Sequence, residues 1–332
     1  MCFEFKVDNE LKQEYLNNKP TATGDSDSFI LRSADEYENL IEKPIYNMSY
    51  IELKELLIMQ FRNSSEKTVL KNISILKTYI DYCINKNVVT HGENRLATFS
   101  SKDAKEFVNK QALINKYITK EQLIEYQNVL YNPQDQLLLE LPFIGVRGRT
   151  VEDGTLEEII NLRMSDVDEE NKMVTLTQNN GKHRILEVGT FTIELIKDVY
   201  EQKIYVENNG EETNNPRLSK PREIKINKVE DFVLRVPGLK KFTQITPNLL
   251  NSRMRRLQKY LDNNYISFTS IFMSGQLNMA MDIYKEKGEI LKEDYIKICN
   301  RYNYGEDNPE KYWFNVKSLF TQYLELTKSK QY

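Results

Sequence analysis

Apolar residues recur at helical intervals along most of this chain. The pattern is clearest in "SSEKTVLKNISILKTYIDYCINKN", residues 64–87, where apolar side chains follow one another every three or four positions. Such a stripe is typical of an amphipathic helix that buries one face. The same spacing appears in "SYIELKELLIMQF" before it and in "SSKDAKEFVNKQA" after it. The pattern therefore predicts a compact helical domain over residues 45–115. Its central stripe consists of Val69, Ile73, Leu76, Tyr79, Ile80 and Cys83.

The segment before this domain has a weaker pattern. Residues 1–44 combine the polar run "NNKPTATGDSDS" with one short helical candidate, "SADEYENLIEK". Ser33 stands at the start of that candidate, where a hydroxyl can accept hydrogen bonds from the first free backbone N–H groups. We therefore expect an N-terminal arm that carries one short helix with Ser33 as its N-cap.

Residues 116–332 mix two periodicities and predict a second domain. Thr119 precedes the helical pattern "KEQLIEYQNVL", and the strongly apolar "PQDQLLLELPFIGV" predicts a buried helix. The strands of a hairpin follow in "KMVTLT" and "RILEVG", joined by "QNNGKH", whose Asn-Gly pair is a strong turn signal. Almost all of the remaining chain has helical spacing. The fold class predicted is mainly α with a small antiparallel β-sheet.

Composition narrows the classes of protein to consider. Of the 332 residues, 40% are hydrophobic and 29% are charged, which is typical of a globular chain. No apolar run approaches the roughly 18 residues that a membrane span needs, and the first residues do not resemble a signal peptide. The odd, scattered cysteines Cys2, Cys83 and Cys299 favour a reducing cytosol over a disulfide framework. With only His91 and His183 in the chain, and neither near a cysteine pair, we expect no zinc site and no cofactor.

Positive charge is concentrated in one region. The net charge is −3, yet residues 215–260 hold twelve Lys/Arg against three Asp/Glu. Part of this charge lies on a predicted helix in "ITPNLLNSRMRRLQKYL", where Thr246 is the N-cap and Pro247 the first helical residue. The local excess indicates an anionic partner, or a solvated surface balanced by acidic neighbours in space. Composition leaves both interpretations open.

The order of these elements resembles that of the tyrosine recombinase (phage integrase) family over about residues 48–300. A small helical module precedes a domain that begins with helices, inserts a short antiparallel sheet and ends in helices. The stretch "LLLELPFIGVRGRTVEDGTLEEIINLRMSDVD" resembles the first arginine box of the family, with an apparent insertion after Arg147. The hairpin "MVTLTQNNGKHRILEV" resembles the one that brings the family's lysine to the scissile phosphate, which implies this place for Lys182, followed by Arg184. The box residues that match are Gly145, Arg147, Glu158, Leu162 and Asp166.

The same resemblance implies that catalytic residues are missing. Active members attack a phosphodiester with a tyrosine, stabilise the phosphate with two arginines and a lysine, and use histidines for proton transfer. In "TPNLLN" the positions of the second His-x-x-Arg box hold Asn248 and Asn251, and a shifted register recovers Arg253 but places a leucine at the histidine position. The later Gly-His pair is here Gly-Gln, with Gln276. Tyr284, eight residues on, is the nearest nucleophile candidate, although an aromatic that packs on a helix is the favoured interpretation of this residue.

We therefore predict a two-domain, clamp-like recombinase scaffold that binds double-stranded DNA and does not act as an enzyme. Arg253 and Arg256, three residues apart, are the natural pair on one helix face. For the first-domain residues an ordinary solvated helix face is the alternative interpretation. The candidate DNA-binding residues are Arg253, Arg255, Arg256, Lys240, Lys241, Lys182, Arg184, Arg147, Lys67, Thr68 and Lys71.

The combination resembles the integrase-like repressors that maintain lysogeny in SPβ-group prophages of Bacillus. The function expected is then a sequence-specific repressor that binds operator sites in the bacterial cytoplasm, associated with the nucleoid, with no membrane partner. A phage regulatory protein or a second copy of the chain are further candidate partners. Two alternatives stay open: a divergent active recombinase that uses Tyr284 or Tyr302, and a helical interaction protein without a DNA role.

Overall fold

The computed structural model describes residues 5–61, 66–100, 103–104, 110–146, 156–211, 221–226, 231–238, 244–303 and 308–328. The chain divides into two compact units, residues 1–113 and 114–332. This division lies close to the predicted boundary between residues 115 and 116. The two units are described separately.

Unit 1 is helical. Its helices are α1 (Asn9–Asn17), α2 (Thr21–Ile41), α3 (Tyr50–Phe61) and α4 (Glu66–Asn85), and α5 (Lys110–Asn115) continues into unit 2. The stripe predicted on α4 is buried along its whole length, between 0% and 3% exposed. It packs with apolar side chains of α2 and α3, including Leu31, Tyr37, Leu56 and Leu57, in one continuous core.

The first 44 residues are not a separate arm. Phe5, Tyr15, Leu31 and Tyr37 lie in the core of unit 1. The ammonium group of Lys12 on α1 is fully buried and binds carboxylates of α2, at 2.8 Å from Asp35 Oδ1 and 2.5 Å from Glu38 Oε2. A buried cation requires such pairing, so α1 and α2 are tied together through charges that the sequence pattern did not reveal.

The predicted cap at Ser33 is also wrong. α2 begins at Thr21 directly after Pro20, so Ser33 lies in the middle of a 21-residue helix. Its hydroxyl donates to the carbonyl of Phe29, which is the usual way for a serine inside a helix to satisfy its hydrogen bond.

Unit 2 surrounds an apolar core with helices and two small sheets. Its helices are α6 (Lys120–Val129), α7 (Pro133–Ile144), α8 (Glu157–Ile160), α9 (Thr190–Glu201), α10 (Pro247–Tyr260), α11 (Phe268–Lys287), α12 (Lys292–Arg301) and α13 (Trp313–Lys328). Thr119 caps α6 in a capping box with Gln122, as its position predicts. The fold class predicted from the sequence, mainly α with a small antiparallel β-sheet, is confirmed.

The predicted hairpin is present. β1 (Val167–Asp168), β2 (Met173–Thr177) and β3 (His183–Glu187) form an antiparallel sheet in that order, with Leu176 paired to Arg184. Gly181 in the connecting turn has φ +81°, which favours glycine. A second sheet pairs β4 (Ile204–Val206) with β5 (Glu223–Lys225).

α7 is central to unit 2. Leu137, Leu138, Leu139 and Leu141 are completely buried, as its apolar sequence predicts. α11 crosses α7 closely at Gly275, where a Cβ atom would lie 1.9 Å from the carbonyl oxygen of Phe143. Only glycine permits this approach. The two helices thereby fix the part of the core on which α10 and the hairpin rest.

Candidate nucleic-acid interface

α10 has two distinct faces. Leu250, Met254 and Leu257 are buried in the core of unit 2 at three- and four-residue spacing. The opposite face is exposed and carries Asn248, Asn251, Ser252, Arg255 and Lys259. The helix begins as predicted, since the Thr246 hydroxyl accepts from the backbone N–H of Leu249 at 3.3 Å and Pro247 occupies the first turn.

Arg253 belongs to the buried face, which corrects its prediction as a DNA-binding residue. It is 2% exposed. Its guanidinium donates to Gln134 Oε1 at 3.1 Å and to the carbonyl of Arg235 at 3.3 Å, and it lies over the ring of Tyr205. A side chain enclosed in this way cannot reach a phosphate on the surface. The proposed pairing of Arg253 with Arg256 on one DNA-facing surface is therefore wrong as well.

The surroundings of Arg253 form a buried polar network at the amino end of α7. Asp135 accepts hydrogen bonds from the Tyr205 hydroxyl at 2.9 Å and from the Asn132 amide at 3.3 Å. Burial raises the pKa of Asp135, and the positive charge of Arg253 opposes that shift. Burial likewise lowers the pKa of the Arg253 guanidinium, with Asp135 opposing. The arginine therefore connects α10 to α7 and β4 as a structural group.

The other cations of α10 differ in exposure. Arg255 and Lys259 are exposed, and neither has a carboxylate partner within the described residues. Arg256 is half-buried, and its Nε is enclosed without a hydrogen-bond partner in that same part of the chain. Arg255 and Lys259 are thus the α10 cations that remain available to an anion in solution.

The two predicted DNA-binding residues of the hairpin, Lys182 and Arg184, also differ in their surroundings. Lys182 is exposed in the turn between β2 and β3. Arg184, in contrast, donates from Nε and Nη2 to the carboxylate of Glu158, and from Nη1 and Nη2 to the carbonyls of Arg301 and Gly145, all within 3.0 Å. Four of its five N–H donors are thereby directed into the protein, so the prediction that Arg184 binds DNA is not supported by its geometry.

Hydrogen bonds connect the hairpin turn to the start of α10. The side chain of Gln244, two residues before the N-cap, donates to Asn161 Oδ1 at 2.8 Å. Asn161 in turn donates to Asn179 Oδ1 at 3.0 Å and to the carbonyl of Thr177 at 3.1 Å. Glu157 accepts from the backbone N–H of Asn179 at 2.9 Å. These hydrogen bonds connect the segment just before α10 to the turn that carries Lys182. The exposed amides Asn248 and Asn251 of α10 and the Lys182 turn are together called the α10–hairpin surface.

Sequence reasoning missed Gln244, Asn161, Asn179 and Glu157. The side-chain hydrogen bonds among these four residues join positions 18 to 83 residues apart, and amides in polar loops carry no periodic signal. Glu158 of α8, next to Glu157, was one of the residues that match the family's first arginine box. The pairing of Glu158 with Arg184 rather than with a ligand becomes visible only in three dimensions.

The positions that correspond to the missing catalytic groups lie in different environments. Asn248 and Asn251 are exposed on the first turns of α10. Gln276 is fully buried on α11, and its side-chain amide has no hydrogen-bond partner within the described residues. Tyr284, 38% exposed, packs edge-on against Phe320 with ring centroids 5.8 Å apart. None of these four positions holds a histidine.

Tyr302 is excluded as an exposed nucleophile in this structure. It is 3% exposed, and its hydroxyl donates to the carbonyl of Phe143 at 2.7 Å. Burial also raises its pKa, which disfavours the phenolate. Tyr302 instead packs against Phe272 and Gly145 at the junction of α7, α11 and α12.

Among the first-domain candidates, Lys71 and Thr68 are exposed on α4. The Lys71 ammonium donates to the Ser26 hydroxyl at 2.7 Å. The backbone of Lys67 belongs to α4, but its side chain lies outside the described residues, as do Arg147, Lys240 and Lys241 entirely.

Two absences hold for the described ranges. No group of three or more His, Cys, Asp or Glu there could hold a metal ion. In the same ranges, no helix is both long and apolar enough to cross a bilayer.

The helical first unit, and the second unit with its inserted hairpin, are the two domains of a tyrosine recombinase-like protein. The chain belongs to the MrpR family: residues 6–86 match "MrpR, N-terminal core-binding domain" and residues 117–328 match "MrpR, C-terminal catalytic domain". The resemblance predicted from the sequence is thereby confirmed.

One relative and one solved structure are similar to this chain. It is 24% identical over 298 residues to the SPbeta prophage-derived uncharacterized protein YopR of Bacillus subtilis (strain 168), across 89% of this chain and 88% of that one. A crystal structure of XerA recombinase aligns with 94% of this chain and 97% of its own, at 11% identity and a TM-score of 0.39. The overall similarity to that structure is low.

Proposed function

We propose that this protein is a sequence-specific DNA-binding repressor that maintains prophage lysogeny on a catalytically inactive tyrosine recombinase scaffold. One observation carries the proposal. Where the family resemblance requires a histidine and an arginine, α10 exposes Asn248 and Asn251, while the nearest arginine, Arg253, is buried and held by Gln134 and the carbonyl of Arg235.

The loss of strand cleavage follows from charge. Attack on a phosphodiester builds negative charge on the phosphate, and cationic donors that point at it supply several kcal/mol of stabilisation, on the order of 3 kcal/mol for one donor. Neutral asparagine amides stabilise that charge less, and they do not transfer protons at neutral pH. The described part of the α10–hairpin surface therefore favours binding of a phosphate over its cleavage.

The retained cations support DNA binding. Within the described ranges Arg255 and Lys259 on α10 have no ion-pair partner, and Lys182 is exposed on the connected turn. Cations in such positions neutralise phosphates and release counterions, which produces affinity that falls steeply with salt. A clamp formed by the two domains around DNA stays a prediction.

The prophage role is supported by the relative whose name places it in the SPbeta prophage. A binder that holds DNA without cutting it acts by occupying a site, and a site that overlaps a promoter is then repressed. The expected partner is an operator in double-stranded DNA. A phage regulatory protein or a second copy of the chain remains a further candidate.

Binding is tested by selection from a randomised 30-base-pair duplex library followed by gel shifts. We expect an enriched motif whose affinity falls with salt. Replacing Arg255 and Lys259 together by alanine is expected to lower the affinity for that duplex at least tenfold, because two phosphate contacts are lost. The matched control replaces two other exposed lysines, Lys292 and Lys317, which lie over Trp313, and should bind like the wild type.

Repression is tested separately, with the selected motif placed across a reporter promoter. The reporter should fall in expression when the wild-type protein is present, and not when the Arg255/Lys259 double variant is present. If no duplex shifts at low salt, the chain is a helical interaction protein without a DNA role and the proposal is wrong.

A divergent active recombinase is the second candidate, because Tyr284 is exposed, unlike Tyr302. A covalent protein–DNA product that disappears in Tyr284→Phe would establish it.

A further inference from the structure

The chain contains two asparagine–glycine pairs, each within the sequence "NNG", at residues 179–181 and 208–210. Asparagine is a thermally labile residue, because the backbone nitrogen of the next residue can attack the carbon of its side-chain amide. Glycine leaves that nitrogen most accessible, since it has no Cβ and its backbone rotates freely. The sequence makes the two pairs equally labile, and the structure distinguishes them.

The second pair, Asn209–Gly210, is enclosed. The Asn209 side chain accepts at Oδ1 from the backbone N–H of Tyr131, at 2.7 Å, and donates from Nδ2 to the carbonyl of Val129, at 2.8 Å. A Cβ atom at Gly210 would lie 2.9 Å from the Tyr131 ring, so the ring covers this glycine. An amide held at both ends is not free to turn toward the backbone nitrogen, and this pair is protected.

The first pair, Asn180–Gly181, is open to solvent in the turn between β2 and β3. Both residues are exposed, and nothing lies within 4 Å of the position that a Cβ of Gly181 would take. The Asn180 Oδ1 accepts from the backbone N–H of Lys182 at 2.9 Å, which folds the side chain back over its own turn. Within the described residues its amide nitrogen donates to no group. The leaving nitrogen therefore faces water.

One backbone hydrogen bond restrains the attacking atom. The Gly181 N–H donates to the carbonyl of Gln178 at 3.0 Å. Hydrogen bonds at exposed loop tips open at a low cost in free energy. Once this one opens, solvent can remove the proton from the Gly181 nitrogen. The tip of the hairpin therefore controls the reaction, with no rearrangement of the core.

The reaction needs only water. The Gly181 nitrogen loses its proton to hydroxide and forms a bond to Cγ of Asn180, while the Cγ–Nδ2 bond breaks and ammonia leaves. The product is a five-membered succinimide ring. Water then opens either of its two C–N bonds, which gives aspartate or isoaspartate, in which the main chain runs through the side-chain carbon. In total one water is consumed and one ammonia is released.

Both products change the turn that carries Lys182. Each places a carboxylate two residues from this lysine, at the contact between Asn180 Oδ1 and the Lys182 N–H. A negative charge there repels phosphates. Isoaspartate also lengthens the main chain by one carbon, beside the hydrogen bond from the Gln178 N–H to the Lys182 carbonyl. The altered turn is therefore less suited to DNA.

We propose that Asn180 is a modification site, where spontaneous loss of the side-chain amide weakens DNA binding as the protein ages. The reaction itself is independent of the proposed function, whereas its effect on DNA rests on it. Release of ammonia makes the change irreversible, so a molecule that has reacted is replaced only by new synthesis.

The reaction is tested by mass spectrometry on the full-length protein, incubated at neutral and at alkaline pH. Trypsin releases the two pairs in separate peptides, residues 173–182 and 204–217. We expect deamidation at Asn180, faster at alkaline pH because the attacking nitrogen must lose a proton, and labelling of that peptide by an isoaspartate methyltransferase. Asn209 should react at least about tenfold more slowly, because two hydrogen bonds must open first.

Two controls show that the difference comes from the fold. In urea-unfolded protein the peptides with Asn180 and Asn209 should deamidate at similar rates. Asn180→Gln should abolish the reaction at this position, because glutamine would have to form a six-membered ring.

The effect on DNA is measured with the duplex selected by fresh wild type. Affinity should fall with incubation for wild type and stay at its own starting value for Asn180→Gln. Asn180→Asp, which carries the product charge from the start, should bind about threefold or more weakly than fresh wild type. Gln322→Glu makes the same amide-to-carboxylate change at an exposed position of α13 and should bind like the wild type.

Different results overturn the two halves of the proposal. If Asn180 keeps its amide, or if Asn209 in the folded protein reacts as fast, Asn180 is not the modification site. If Asn180 reacts but the aged protein and Asn180→Asp bind the duplex like fresh wild type, the effect on DNA is wrong and the proposed function stands. If fresh wild type binds no duplex, the proposed function fails together with the effect on DNA, while the peptide masses still decide the modification.

Discussion

The roles of single arginines in this protein depend on burial rather than on residue type. Arg253 and Arg255 are two positions apart on one helix, yet the first is enclosed against Gln134 and the second is exposed. The helical spacing of Leu250 and Leu257 could have indicated this, because Arg253 shares their face. The prediction instead paired Arg253 with Arg256 by their three-residue spacing and did not compare that face with the one that the leucines bury.

Arg184 provides the most direct residue-scale prediction. Replacing it by alanine removes the Arg184 cation from the carboxylate of Glu158, itself 2% exposed, and removes the donors that Arg184 provides to the carbonyls of Gly145 and Arg301. Removing one partner of a buried ion pair costs about 3 kcal/mol. We expect a loss of that size in the free energy of unfolding, measured by urea denaturation.

The matched control for Arg184→Ala is Lys197→Ala, which breaks the exposed pair of Lys197 with Glu169 on the surface. Exposed pairs contribute little, so this variant should unfold like the wild type. Equal stability of Arg184→Ala and wild type would show that the Glu158 contact is unimportant and would reopen Arg184 as a DNA-binding candidate.

At the scale of elements, short-range sequence signals predicted helices, caps and the hairpin correctly, whereas contacts between distant residues could not be predicted. The caps at Thr119 and Thr246, the buried helix α7 and the hairpin with its turn at Gly181 all follow from short-range chemistry and are present. The prediction of Ser33 as an N-cap was wrong because a serine hydroxyl that can cap a helix can also donate to a carbonyl of the preceding turn inside a helix. The links from Gln244 through Asn161 to the hairpin had no sequence signal.

The crossing of α7 and α11 supplies an element-scale prediction. In Gly275→Ala the new methyl would lie 1.9 Å from the carbonyl oxygen of Phe143, so the helices must separate. We expect the melting temperature, measured by circular dichroism, to drop by at least several degrees. Gly24→Ala on α2 is the control, because its Cβ would meet nothing closer than 3.8 Å; it should melt at or above the wild-type temperature, since alanine favours helix. An unchanged melting temperature for Gly275→Ala would contradict the close approach.

At the scale of the whole molecule, the sequence predicted two helical-rich domains and their family, but not the extent of the first. Residues 5–41 are part of unit 1 because Lys12 binds Asp35 and Glu38, and because Phe5 and Tyr15 lie in the same core cluster as Tyr79 and Ile80. Polar composition concealed this, since the polar residues of α2 serve partly as buried ion partners. Composition alone cannot distinguish a buried carboxylate from a solvated one.

The proposed lack of catalysis concerns several positions of unit 2 together. We infer it because α10 carries two asparagines where the family resemblance implies a histidine and an arginine, and because the Gln276 amide and Tyr302 are buried. Tyr284 near the end of α11 is exposed, so the proposal of a catalytically inactive scaffold depends on whether Tyr284 attacks DNA.

The decisive measurement is covalent trapping on the motif selected by the wild type. That duplex is prepared with a nick beside each phosphate in turn, so that any cleavage releases a short fragment and cannot reverse, and it is incubated with wild type and with Tyr284→Phe. Gel shifts under native conditions establish binding, and denaturing gels of the same reactions report covalent product. We expect a salt-dependent shift for both proteins and no covalent band for either. A covalent band from the wild type that is absent from Tyr284→Phe would show an active recombinase and contradict the account.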